Sequence, residues 1–152
     1  MTSRSILVAA IGVASILGAG AVFWFSSKSG AVDDTPVVIE AGARIYAESC
    51  AACHGSRLEG QPDWRSRNAA GRLPAPPHDA SGHTWHHPMK VLFEITKQGV
   101  SRFAGPGYLS DMPAFEGRLS DDEIRAVLLY IRAQWPEEIR KRHAEIDRRS
   151  GS

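Results

Sequence analysis

The stretch "ESCAACHGSRLEG", residues 48–60, holds Cys50 and Cys53, the two cysteines of this 152-residue chain, with His54 directly behind them. Two thiols at this spacing followed by an imidazole suit three chemistries: a dithiol/disulfide redox pair, half of a zinc site, or covalent attachment of a c-type haem. The rest of the sequence bears on the choice.

Composition and a formal net charge of +1 fit a globular chain and give no footprint for nucleic acid. The start is different. "ILVAAIGVASILGAGAVFWF", Ile6 to Phe25, carries no charge and is long enough to span a bilayer core as a helix. Arg4 precedes it, while Lys28, Asp33 and Asp34 follow, so the charge bias places the N-terminus inside and exports the remainder. Residues 1–31 then form an uncleaved signal anchor with its linker, or a signal peptide cut after Ala31, with Ser29 and Ala31 as the small residues at the cleavage site. The length of the apolar run and the interfacial Trp24 and Phe25 favour the anchor. The expected location is the bacterial inner membrane with the folded part in the periplasm, or the periplasm itself if the leader is removed.

Beyond the linker, "TPVVIEAGARIYAESC" predicts a helix with Thr35 as N-cap and Pro36 at its first position. Val38, Gly42, Ile45 and Tyr46 share one face of it. From Gly55 to His87 no helical or strand period persists. A stretch of that length, with aromatics and prolines, reads as chain wrapped around something. A second helix is expected in "HPMKVLFEITKQG", ending at Gly99, followed by the loop "VSRFAGPGYLSDMPAFEGRL". "SDDEIRAVLLYIRAQW" then gives the strongest local signal: a Ser120/Glu123 capping box, acidic residues in the first turn, and an apolar stripe of Ile124, Val127, Leu128, Ile131 and Trp135. After Pro136 the mixed charges of residues 136–152 suggest a helical tail, solvated and partly frayed.

A thioredoxin-like pair would follow a strand and open a helix, whereas these cysteines follow a helix in a strand-poor sequence. Zinc needs about four N or S ligands. His78, His83, His86 and His87 could complete such a set in number, but their spacing is no familiar finger pattern. Haem attachment gives each residue a separate job, with two thiols for two vinyl groups and the neighbouring histidine for iron. The leader supplies the oxidising compartment that this chemistry needs. A sixth ligand would be required for pure electron transfer, and Met112 is the best candidate, while Met89 reads as packing.

The chain from about residue 37 to 135 resembles class I c-type cytochromes. The resemblance rests on "CAACHG", on "DMPAF" at 111–115, and on the capped terminal helix "LSDDEIRAVLLYIRAQW". It implies an all-α, cytochrome c-like helical domain over 36–135, wrapped around one covalent haem c, with the first and last helices crossing where Gly42 and Tyr46 meet the region of Val127 and Tyr130. It implies Cys50 and Cys53 as thioether residues, His54 as proximal ligand and Met112, held by Pro113, as distal ligand. His54 would donate its outer ring N–H to a carbonyl near a proline, Leu73 or Pro74 in "GRLPAPP".

The expected function is electron transfer without enzymatic chemistry, with redox-partner proteins of a respiratory or periplasmic chain and a membrane contact through the leader. Two alternatives stand beside it: a copper-handling or redox-sensing accessory protein using the histidine loop 78–87, and the haem subunit of a larger oxidoreductase. In the bland reading of that loop, Thr84 or His87 caps the next helix and Trp85 packs on haem. Arg57, Arg65, Arg67, Arg72 and Arg102 are candidates for partner docking or for pairing with the haem propionates, and Tyr108 for the latter.

Overall fold

The computed structural model describes residues 34–151. The leader Ile6–Phe25 lies outside the described residues. No helix among the described residues is long and apolar enough to cross a membrane.

Helix α1, Pro36–Ser49, begins as its sequence dictates: the Thr35 side chain accepts from the Val38 amide, and Pro36 takes a position whose N–H would have had no partner. Helix α2, Ala51–His54, is the single turn that holds the attachment motif. A 3-10 turn follows at Thr84–His86, then α3, Met89–Gln98, and a short α4, Ser101–Ala104, in a region expected to be loop. Helix α5, Asp121–Ala133, carries the complete capping box: Ser120 accepts from the Glu123 amide, and the Glu123 carboxylate accepts from the Ser120 amide. No strand occurs among the described residues, so the fold is all-α.

The core forms where α1 crosses α5. Tyr46, Ile124, Val127, Leu128, Ile131 and Trp135 are buried together with Leu92 of α3. The crossing is close because residue 42 has no side chain: a Cβ there would stand 2.1 Å from the Ala126 carbonyl oxygen and 2.9 Å from Tyr130 Cβ. One turn on, the Tyr46 and Tyr130 rings meet with centroids 5.5 Å apart.

The C-terminal residues depart from the expectation of a frayed tail. They form α6, Glu137–Ser150, which packs back on the 3-10 turn and the start of α3. Few aliphatic residues hold it. Instead His143 is fully buried, its Nε2 donating to the His87 carbonyl at 3.0 Å, and its ring lies edge-on to Trp135. The Asp147 carboxylate accepts from the Met89 amide at 2.6 Å. Helix α3 therefore needs no cap from its own flank: Pro88 sits at that position with no side-chain bond, and neither Thr84 nor His87 fills the role.

Candidate functional site

The four residues expected to attach and ligate the haem arrive at one place. Cys50, Cys53, His54 and Met112 all line a single cavity of about 480 Å³, between the attachment turn, the 58–87 loop, α3 and α5. Its apolar wall comes from Leu92, Ile95, Val127, Leu128 and Ile131. The size falls in the range of cofactor pockets, roughly 300–1,000 Å³.

Helix α1 delivers the motif. The Cys50 amide donates to the Tyr46 carbonyl at 2.9 Å, so the chain leaves α1 without a break. The buried Tyr46 hydroxyl donates to the Gly55 carbonyl at 2.9 Å, tying the far end of the motif to the helix that precedes it. Burial raises the Tyr46 phenol well above its ordinary range, aided by nearby Cys50, so it remains a donor.

The His54 ring is 7 % exposed, and its Nδ1 lies 2.8 Å from the Pro76 carbonyl oxygen. A carbonyl only accepts, so Nδ1 carries the proton and Nε2 keeps its lone pair, the state a metal ligand requires. Burial lowers the His54 pKa, partly offset by that bond, which keeps the ring neutral. The acceptor is Pro76 rather than Leu73 or Pro74. The shift arises because the loop closes further along: the Gln61 amide donates to the Ala75 carbonyl, and the His78 and Asp79 amides both donate to the Leu58 carbonyl. Gly60 permits this closure. It adopts φ of 70°, and a Cβ on it would stand 2.5 Å from the Pro77 nitrogen.

Cys50 is not an activated thiol. Burial, with Cys53 adding to it, pushes the Cys50 thiol up to about 11, opposite to the lowered values that make thiolate nucleophiles and ligands. Among the described residues no group of three or more His, Cys, Asp or Glu side chains could hold a metal ion. The histidines of 78–87 pair with neighbouring rings, His83 also lying edge-on to His87. His78 stacks on His54 with centroids 3.9 Å apart and bonds Thr84 Oγ1, His83 stacks on Trp64, and His86 lies on Trp85. The zinc reading, which needs about four ligands, finds no such set among the described residues.

Met112 lines the cavity from the opposite loop, its amide bonded to Ser110 Oγ at 3.0 Å. Met89 packs against the core away from the cavity. Trp64, not Trp85, supplies the tryptophan of the cavity wall; Trp85 faces α6 with the Arg142 guanidinium over its ring. Tyr108 lines the cavity as well. The arginines stand outside it: Arg65 over Trp64, Arg67 over Tyr108, and Arg72 paired with Asp111. Sequence reading missed Trp64 and Pro76, and offered His78 only as a zinc or copper ligand, whereas it stacks on His54. The run of prolines at 74, 76 and 77 was the signal for a fixed carbonyl, but not for which one.

Comparison with known proteins agrees with this geometry. The family model described as Cytochrome c matches residues 39–135. The cytochrome c6 of Leptolyngbya boryana is 36% identical over 91 residues, covering 60% of this chain and 86% of that protein. The cbb3-type cytochrome c oxidase subunit FixP of Bradyrhizobium sp. (strain ORS 278) is 30% identical over 91 residues, covering 60% of this chain and 26% of the relative. The gluconate 2-dehydrogenase cytochrome c subunit of Pantoea cypripedii is 30% identical over 100 residues, 63% of this chain and 20% of its own length. The chain thus spans about a quarter or less of these two larger relatives. No solved structure matches significantly. A largely apolar cavity, a neutral histidine fixed by a carbonyl and two nearby thiols fit a covalently held porphyrin. Because the match takes in the attachment turn, the cavity and the capped α5, the chain belongs to the cytochrome c family, whose cofactor is one covalently bound haem c.

Proposed function

We propose that this protein is a one-electron carrier that bonds haem c through Cys50 and Cys53 and ligates its iron with His54 and Met112. The observation that carries the reading is the meeting of those four side chains at one apolar cavity. When bound, the haem supplies an Fe(III)/Fe(II) couple. The chain's own residues set the conditions. Pro76 holds His54 in the ligating tautomer, and the apolar wall excludes water. The neutral thioether of Met112 favours the reduced state, so the reading implies a positive potential. With His54 and Met112 both committed to the iron, no position would be left for substrate. Reduced holoprotein at neutral pH should therefore take up no carbon monoxide; ready uptake would speak for an open site and for enzymatic work.

The leader Ile6–Phe25 supports a periplasmic position for the haem domain, tethered to the inner membrane or released by cleavage after Ala31. Mass spectrometry of the mature protein reads both the N-terminus and the added haem. Cys50→Ala with Cys53→Ala should remove the haem mass and leave the N-terminus unchanged.

Two relatives carry names of an oxidase subunit and a dehydrogenase cytochrome subunit, which supports a second reading: this chain passes electrons as the haem module of an oxidoreductase complex. Co-purification from mild detergent separates the two readings, since a free carrier migrates alone.

A further inference from the structure

The long excursion between Gln61 and Ala75 is not slack chain. At its base the Gln61 amide donates to the Ala75 carbonyl and the Ala75 amide to Gln61 Oε1, both at 2.9 Å, so the two ends are buttoned together. At its tip Asn68 builds a turn: its side chain accepts from the Ala70 and Arg72 amides at 3.0 Å, and its own amide donates to the Arg72 carbonyl at 2.9 Å. Arg67 closes the same turn from outside by donating to the Gly71 carbonyl at 2.6 Å. The backbone on either side of Arg67 and Arg72 is thereby fixed.

Both reach the segment that bears Met112. The Arg72 guanidinium pairs with Asp111, the residue directly before Met112, and the Arg67 guanidinium lies 5.5 Å from the centroid of the Tyr108 ring. The Arg72–Asp111 pair joins positions 39 residues apart along the chain. The segment they reach has few anchors of its own among the described residues. Leu109 is exposed, and the Met112 amide is held only by the local Ser110 hydroxyl. Trp64, Asn68 and Leu73 of the excursion line the same cavity as Met112.

We propose that residues 62–74 act as a strap across the cavity, and that the Arg72–Asp111 pair is its buckle, making both residues positioning residues for Met112. The proposal rests on the reading of Met112 as axial ligand. An unstrapped segment swings Met112 away more often, and the iron then becomes open to an added ligand. The pair is partly exposed, with side-chain exposures of 41 % and 61 %. Its effect is therefore that of a screened ion pair, about three- to five-fold in such an equilibrium.

The test is imidazole titration of the oxidised holoprotein, followed by its visible spectrum, in wild type, Arg72→Gln, Asp111→Asn, the double variant and Met112→Ala. Each single strap variant should bind imidazole about three- to five-fold more tightly, and the double variant no more tightly than either single one, because both remove the same contact. Unchanged single variants, or a double variant in which two effects multiply, overturn the strap. Met112→Ala keeps the two readings apart. If it binds imidazole far more tightly than wild type while the strap variants do not move, the strap alone is wrong. If it binds like wild type, Met112 is not the ligand and the strap proposal falls with it.

Discussion

The carboxylate of Asp147 caps helix α3 from 58 residues away, its Oδ1 lying 2.6 Å from the Met89 amide nitrogen. A cap supplied by another helix makes the last element part of the domain. It also seats α6 on the 3-10 turn, whose Thr84, with His83 and His87 on either side of the turn, lines the cavity. Replacing Asp147 with Ala removes the acceptor and leaves the first turn of α3 uncapped, at a cost of about 1 kcal/mol. Thermal unfolding should show that loss, and hydrogen exchange should place it at the first amides of α3. A variant as stable as wild type would mean that α6 only rests against the domain.

The second anchor of α6 responds to pH. Because His143 Nε2 donates to the His87 carbonyl, Nδ1 presents a lone pair to Asp147 Oδ2 at 3.4 Å, and nearby Arg132 opposes a positive ring. Burial lowers the His143 pKa from its ordinary 6.5, and outweighs the opposing pull of Asp147 and of the backbone bond. The unfolded chain then binds the proton more readily than the folded one. His143 accordingly contributes stability that is complete above about pH 6.5 and fades as pH falls below it, by at most about 1.4 kcal/mol per pH unit. Denaturant unfolding between pH 5 and 8 checks this: His143→Gln, which keeps a donor for His87, should have a shallower acid slope than wild type. Equal slopes would exclude the histidine as the source.

At the α1–α5 crossing two effects oppose each other. Gly42→Ala gains about 1 kcal/mol of helix propensity, but the new Cβ would stand 2.1 Å from a backbone oxygen that no rotamer change can move. Overpacking of this kind costs about 1–3 kcal/mol or more, so the variant should be less stable by about 1–2 kcal/mol. A stabilised Gly42→Ala would mean that the helices can separate without penalty.

Of those three sites only the α1–α5 crossing at Gly42 was readable in the sequence. Helix α1 with Thr35 and Pro36, the Ser120/Glu123 box, and the apolar stripe of α5 are local patterns, and each appears as its residues dictate. The convergence of Cys50, Cys53, His54 and Met112 was legible through the order of their motifs. Three features were not. Helix α6 is held by a buried histidine and a half-buried aspartate through hydrogen bonds, which apolar periodicity does not reveal. The choice of Pro76 over Leu73 or Pro74 depends on the meeting of Gly60 and Pro77 across the loop. Trp64 and Trp85 look alike in sequence, and only the return of α6 decides which faces the cavity.

The central claim is that Met112 shares the haem iron with His54. The most direct measurement is the absorption spectrum of the oxidised holoprotein, in the region of the sulfur-to-iron charge-transfer band, for wild type and Met112→Ala. The account requires the band in wild type and its loss in the variant, with the covalent haem retained in both. A wild-type spectrum without the band, or a variant that keeps it, would contradict the assignment.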